Sequence, residues 1–90
     1  MARTIWKFRF EISSPLRLSI PQGAQVLTVQ DQDGDGCLWA IVEPENTLES
    51  RYFEIFGTGQ LIHEDMGVER RYIATFQQPP YVWHVFERLN

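Results

Sequence analysis

The residues best suited to bind an ion form one polar stretch near the centre of the chain, Asp31-Gln32-Asp33-Gly34-Asp35-Gly36. It resembles the start of a calcium loop, which has oxygen ligands at positions one, three and five and glycine at position six. Position twelve would be Val42 instead of a bidentate glutamate, and no flanking helices are predicted. Asp-Gly between two apolar runs is also a strong β-hairpin signal. We therefore interpret the stretch as a hairpin turn and predict no metal site.

The other residue types used in catalysis are scattered. His63, Glu64 and Asp65 adjoin one another, but no pair has zinc-ligand spacing on a defined element. His84 is predicted to lie at a partly buried strand position. Cys37 stands beside Leu38 and is typical of a small buried hydrophobe. Because no nucleophile, base and orienting group can be assembled, we predict a protein that is not an enzyme and needs no cofactor.

An anion-binding site is the second candidate. Successive backbone amides in a glycine-rich turn can hold a phosphate, and arginines and aromatic rings pair with and stack on nucleotides. The candidate ligand-binding residues are Gly57, Thr58, Gly59, Arg70, Arg71, Tyr72 and Trp83. This site requires Arg70 or Arg71 to fold back beside the glycine turn. The alternative is an ordinary strand-ending turn, with solvated arginines and with Tyr72 and Trp83 in the core.

Seven short apolar segments, separated by turn signals, must position these residues. No segment has ten residues of helical periodicity, so we predict an all-β fold: a single small antiparallel barrel or sandwich of about seven short strands, forming one domain over residues 1–90. The segments are Trp6–Ile12, Leu16–Ile20, Val26–Val29, Cys37–Val42, Tyr52–Phe56, Tyr72–Phe76 and Tyr81–Phe86. Pro44–Ser50 is predicted to be a loop, and Gln60–Glu69 an irregular excursion.

The patterns of the strands also predict how they pair. The first two are expected to form a hairpin in which Lys7, Arg9 and Arg17 share the outer face. Cys37–Val42 is apolar at odd and even positions, which favours a central place in its sheet. Tyr81–Phe86 is apolar on both faces as well. For a last strand, this indicates either pairing with the first strand to close a barrel or burial in a subunit interface.

Composition narrows the class of partner. The net charge of −4 argues against a general nucleic-acid binder. The charge is unevenly spread: residues 1–20 hold four basic residues and one acid, or +3, whereas residues 21–90 hold four arginines and eleven acids, or −7. Aromatic residues make up 13% of the chain, which favours exposed aromatic surface and a homo-oligomer.

The same composition bears on location. No apolar run approaches the roughly 18 residues of a membrane span, and the N-terminus has no apolar signal-peptide core. A single cysteine fits a reducing compartment. We therefore expect a cytoplasmic protein without membrane association.

Four short pieces of the chain, taken in order, resemble a group of short, uncharacterised phage and prophage proteins, a family defined by a domain of unknown function. They are Ile5-Trp6-Lys7-Phe8, Ile20-Pro21-Gln22-Gly23-Ala24, Cys37-Leu38-Trp39-Ala40 and Phe53-Glu54-Ile55-Phe56-Gly57-Thr58-Gly59. The resemblance runs from about Ile5 to Phe86 and implies a viral accessory protein made in a bacterial cytoplasm. It implies no catalytic residue.

Together these observations lead to a functional hypothesis: a non-catalytic phage-type binding protein, which counters host defence by sequestering a small anionic, nucleotide-derived ligand. One alternative is a protein–protein inhibitor that presents its acidic surface to a host protein. The other alternative is a structural protein of the virion. An enzyme that uses a metal at His63, Glu64 or Asp65, or at the aspartate turn, is the weakest of the hypotheses.

Overall fold

Seven β-strands and no helix make up the fold in the computed structural model, which describes residues 2–64 and 66–90. The strands are β1 (Thr4–Phe10), β2 (Leu16–Pro21), β3 (Gln25–Gln32), β4 (Asp35–Val42), β5 (Leu48–Gly57), β6 (Arg70–Gln78) and β7 (Tyr81–Arg88). All pairings are antiparallel. The predicted all-β class and strand number are confirmed. Among the described residues there is no helix of the length and apolarity needed to cross a membrane.

The strands form two sheets that pack as a sandwich. The three-stranded sheet has the order β1-β4-β3, and the four-stranded sheet has the order β2-β5-β7-β6. The sheets approach most closely where β3 lies beside β6. There the Gln78 side-chain amide donates to Asp31 Oδ1 (2.9 Å) and to the carbonyl of Gly34 (3.2 Å). Of the two predicted architectures, the sandwich is confirmed and the closed barrel is wrong.

The hairpin of β3 and β4 forms as predicted. Its two-residue turn consists of Asp33 and Gly34, both with positive φ (54° and 90°), as turns that match the twist of paired strands require. The Asp31 carboxylate accepts a hydrogen bond from the Gly34 amide (3.3 Å) and fixes this turn. β4 lies between β1 and β3, so its predicted central position is confirmed.

The predicted hairpin of the first two strands is wrong. β1 pairs with β4 and β2 pairs with β5, so the two strands belong to different sheets. Lys7 and Arg9 therefore lie on the outer face of the three-stranded sheet, and Arg17 lies on the other sheet. The alternation of apolar and polar residues specifies which face of a strand is buried, but it does not specify the neighbouring strand.

Two predictions about later strands also need correction. β7 lies between β5 and β6, and this interior position explains its two apolar faces without barrel closure or a subunit interface. β5 begins at Leu48, inside the predicted loop Pro44–Ser50, because Pro21 pairs with Leu48 and extends the ladder. The described residues between positions 60 and 69 contain no strand or helix, as predicted for this excursion.

The core lies between the sheets and draws on both. Val29, Leu38 and Val42 from one sheet pack with Ile20 and Phe53 from the other, all without solvent exposure. Each of these side chains shares its face with residues two positions away, as the alternation of a strand requires. Arg51 and Glu87 lie on this inner face too, since they have the same parity as Phe53 and Val85.

Candidate functional site

The candidate ligand-binding residues separate into two groups along β7. Gly57 pairs with Trp83, whereas Arg70 pairs with Arg88, five residues further along the strand. At about 3.3 Å per residue, this separation is on the order of 16 Å. The backbone at Arg70 and Arg71 therefore lies away from the glycine turn, whereas the sequence-predicted site required one of these arginines beside it. The seven residues therefore do not form one pocket.

The glycine turn is engaged within the protein. The Gly57 amide donates to Gln60 Oε1 (3.0 Å), and the Thr58 amide donates to the carbonyl of Val82 (3.2 Å). The Trp83 ring packs against Gly57 and stacks on Tyr81 at 5.3 Å between ring centroids. Gly59 has a φ of 88° and ends the turn. With these two amides already bonded, the turn offers an incomplete phosphate nest.

The arginine group has two members with different surroundings. The Arg70 guanidinium donates to Glu54 Oε1 at 2.7 Å, and both side chains are more than four-fifths buried. It also donates to the carbonyl of His63 (3.3 Å) and lies over the Phe56 ring. Arg70 thus attaches the excursion to the outer face of the sheet. Arg71, by contrast, is exposed.

Tyr72 connects the two groups through side-chain hydrogen bonds. Its hydroxyl lies 2.7 Å from Thr75 Oγ1, which lies 3.0 Å from Nδ1 of His84. The other ring nitrogen of His84, Nε2, lies 2.7 Å from Thr58 Oγ1. His84 is half-buried, as predicted. The chain of hydroxyls and imidazole orders this face, but no carboxylate or cation takes part in it.

The two stretches considered for metals have other roles where they are described. Asp31 accepts hydrogen bonds at both carboxylate oxygens, from Gln78 and from the Gly34 amide. Asp35 forms an ion pair with Arg9. Asp65 lies outside the described residues, so its place beside His63 and Glu64 is not assigned. Within residues 2–64 and 66–90, no group of three or more histidine, cysteine or acidic side chains is arranged to hold a metal ion.

A further cavity lies where β5 and the end of β7 run side by side. We call it the Arg88 pocket. It has a volume of about 640 Å³ and is lined by Pro15, Glu49, Ser50, Arg51, Tyr52, Glu87, Arg88, Leu89 and Asn90. This volume falls within the range of about 300–1,000 Å³ that is typical of small-molecule sites.

Arg88 is the lining residue with unused hydrogen-bonding capacity. Its Nε is buried and has no hydrogen-bond partner among the described residues. Its Nη1 lies 3.9 Å from Glu54, whose carboxylate already accepts from Arg70. Buried polar groups are nearly always hydrogen-bonded, and an unpartnered donor lowers stability unless a water or a ligand satisfies it.

The Arg88 side chain belongs to a basic row across the outer face of the four-stranded sheet. Arg17 pairs with Tyr52, Tyr52 pairs with Arg88, and Arg88 pairs with Arg70. Arg17 donates to Ser50 Oγ (2.9 Å), which lines the pocket. Tyr52 is exposed between Arg17 and Arg88 and offers a ring for stacking. The row therefore contains three cations and the Tyr52 ring. Glu54 lies 2.7 Å from Arg70 and 3.9 Å from Arg88.

The floor of the Arg88 pocket is electrically balanced. Arg51 and Glu87 form a two-point ion pair, with distances of 2.6 and 2.8 Å. The hydrogen bond to the Glu87 carboxylate raises the pKa of Arg51 and outweighs burial, which lowers it. Arg51 therefore remains charged, and its charge is met by the Glu87 carboxylate. The remaining lining charges are those of Arg88 and Glu49, so Glu49 restricts how an anion can lie.

Sequence reasoning missed Arg88, Tyr52 and Arg51 as site residues. Alternation contained a usable signal for Arg51, because it has the parity of the apolar residues Phe53 and Ile55 in the same strand. A charge at such a position requires a buried partner. The row of Arg17, Tyr52 and Arg88 had no sequence signal, since it depends on β2 and β7 flanking β5.

The fold and the pocket define an all-β sandwich with a cavity on one sheet that is lined by two arginines, two glutamates and one tyrosine. The chain belongs to the family of a domain of unknown function, DUF7352, whose family model matches residues 1–90. Searches of curated proteins and of solved structures find no match to the chain. The expected membership of a family of unknown function is therefore confirmed.

Proposed function

We propose that the protein is a non-catalytic binding protein that sequesters a small anionic, nucleotide-derived ligand in the Arg88 pocket. The observation that carries the proposal is the buried Nε of Arg88, which has no acceptor among the described residues. A phosphate or carboxylate oxygen would satisfy this donor with a charge-assisted hydrogen bond once the side chain turns toward the pocket, because Nε is closed to solvent in the structure. Tyr52 beside it supplies a flat ring on which a base can stack.

The geometry favours a ligand with two chemically different ends. Arg88 and Arg17 flank Tyr52 on either side, so an anionic group can reach an arginine while an aromatic ring covers the tyrosine. Glu49 repels an anion from its side of the pocket. The site thus differs from the sequence-predicted one, which relied on Arg70, Arg71 and the glycine turn.

The biological setting belongs to the same proposal. The resemblance to short phage and prophage proteins supports a viral accessory role in a bacterial cytoplasm, where sequestration of a nucleotide signal would counter a host defence. A homo-oligomer would suit this role, because a neighbouring subunit could close the open side of the pocket. Native mass spectrometry of untagged protein, purified from bacteria without denaturation, reads the subunit number and any retained ligand together.

Calorimetric titration with a panel of mononucleotides, cyclic nucleotides and inorganic phosphate tests the site directly. We expect Arg88→Gln and Tyr52→Ala to weaken binding of the same compound by about tenfold or more, since each removes a direct contact. Arg9→Gln is the matched control, because it removes an exposed arginine from the other sheet. No binding of any of these anions to the wild type, or equal losses in Arg88→Gln and Arg9→Gln, would contradict the proposal.

A further inference from the structure

β1 is an open edge strand that contains neither a proline nor a bulge. Its single hydrogen-bonded neighbour among the described residues is β4, and the seven residues pair with β4 without a bulge. The other edges differ: β3 and β6 lie beside each other and each contains an irregularity, and β2 ends in Pro21. A regular open edge exposes a row of backbone donors and acceptors to which another strand can bind.

Both faces of β1 carry exposed apolar side chains. Ile5 on the outer face is 57% exposed, and Trp6 on the inner face is 38% exposed. On the adjoining central strand, Trp39 and Ile41 are only half-buried, and they pair with Lys7 and Ile5. An added strand would therefore cover apolar surface on each side of the sheet as well as satisfying the backbone groups.

The charges along β1 select the kind of strand that can bind. Lys7 and Arg9 project from the outer face, where Lys7 bonds to neutral Gln32 (2.7 Å) and Arg9 meets Asp35 at 3.4 Å. The Arg9 pair is exposed to 67% and 49%, and such surface pairs are weak and exchangeable. Acidic residues directly opposite Lys7 and Arg9 would stabilise a pairing.

A second copy of β1 is disfavoured by the same charges. An antiparallel pairing centred on Lys7 places two lysines opposite each other, and one centred on Trp6 places Arg9 opposite Arg3. Like charges directly opposite destabilise a strand pair. The positive charge along the edge of β1 therefore favours binding to a different protein over pairing with a second copy of this chain.

We propose that the free edge of β1 binds an extended acidic segment of another protein by strand addition. The segment places Glu or Asp opposite Lys7 and Arg9 on the outer face and apolar side chains beside Trp6 and Phe8 on the inner face. This site is independent of the Arg88 pocket, which lies on the other sheet. In the inhibitor hypothesis the acidic surface belongs to this protein. In strand addition the acidic segment belongs to the partner.

The probe is a blocked peptide of nine residues that alternates valine and glutamate, compared with one that alternates valine and lysine. Two-dimensional NMR of the labelled full chain reports which backbone amides respond. We expect the glutamate peptide to shift the amides of residues 4–10 and to slow their hydrogen exchange, while the lysine peptide does neither. The double variant Lys7→Glu with Arg9→Glu should bind the glutamate peptide about tenfold or more weakly than the wild type does. It should bind the lysine peptide instead.

Arg71→Glu is the matched control, since Arg71 is an exposed arginine on the other sheet and its reversal should leave peptide binding unchanged. Lys7→Gln with Arg9→Gln provides a milder variant, whose NMR spectrum establishes that the fold is retained. Several results would overturn the proposal: no binding of the glutamate peptide to the wild type at about 1 mM, equal binding of both peptides, or shifts confined to other strands. A wild-type dimer whose protected amides are those of β1 would overturn it as well, by assigning the edge to a second copy.

Discussion

Arg51 and Glu87 meet on the inner face of the four-stranded sheet, where their side chains are 15% and 6% exposed. Arg51 Nη1 also donates to the carbonyl of Ala24, at 2.6 Å, at the entry to β3. A single guanidinium therefore joins β5, β7 and the opposite sheet.

Replacing Arg51 by alanine should lower the free energy of unfolding by about 3 kcal/mol, because it leaves the Glu87 carboxylate buried without its partner. Chemical denaturation measures the loss. Arg9→Ala, which breaks an exposed pair, should change stability by about 0.5 kcal/mol or less. Similar losses in both variants would mean that burial does not distinguish the two pairs.

The same pair should contribute equally across the ordinary working range of pH. The pKa of Arg51 is raised, so the stabilisation it provides is fully present below the usual guanidinium pKa. It is lost only as pH rises through the raised value. We expect the stability difference between wild type and Arg51→Gln to stay constant from about pH 6 to pH 9. A difference that declines within this window would contradict the assignment.

Gly36 is required for packing and not for its backbone conformation. A Cβ at this position would lie 2.8 Å from the Phe10 ring, which is buried. Gly36→Ala should therefore destabilise the fold by about 1–3 kcal/mol, and Phe10→Leu in the same chain should restore part of the loss. Gly57→Ala, whose Cβ would meet Trp83 at an ordinary 3.5 Å, should have a much smaller effect on the denaturation midpoint.

Arg70 and Arg71 should respond differently to substitution. Arg70→Ala removes the main partner of the buried Glu54 carboxylate and the donor to His63, so amides near position 63 should exchange faster with solvent. Arg71→Ala should leave exchange unchanged, because Arg71 is exposed. Hydrogen-exchange mass spectrometry compares the two. Equal protection in both variants would show that Arg70 does not hold the excursion.

Calcium should leave the protein unchanged. Both oxygens of Asp31 accept hydrogen bonds, and Asp35 is paired with Arg9, so binding would have to break contacts of the hairpin turn. We expect the thermal midpoint to be the same in millimolar calcium and in chelator. A calcium-dependent rise that Asp31→Asn abolishes would restore the calcium-loop interpretation.

Parts of this fold follow from local sequence. Asp33-Gly34 between apolar runs predicts a hairpin because few residues other than glycine adopt positive φ readily. The two apolar faces of Cys37–Val42 correctly predict an interior strand. The same reasoning applies to Tyr81–Phe86, whose terminal place in the chain does not make it an edge strand of the sheet.

The parts that could not be predicted depend on which strands are neighbours. The alternation in Trp6–Ile12 and Leu16–Ile20 identifies a buried face for each strand, but it is equally compatible with a shared hairpin and with separate sheets. The Arg88 pocket requires Arg17, Tyr52 and Arg88, which stand far apart in the chain and adjoin only because β2 and β7 flank β5. Pairing over such distances leaves no signature in a single sequence.

The interleaving of the sheets along the chain has a consequence for how the protein can be divided. β2 lies between β1 and β3 in the chain but belongs to the other sheet. No single cut can therefore separate the two sheets: a cut between β4 and β5 would leave β2 with the three-stranded sheet and remove it from the four-stranded one. Folding must bring distant segments together before either sheet is complete, which is typical of slow, all-or-none folding. We therefore expect the two sheets to unfold together.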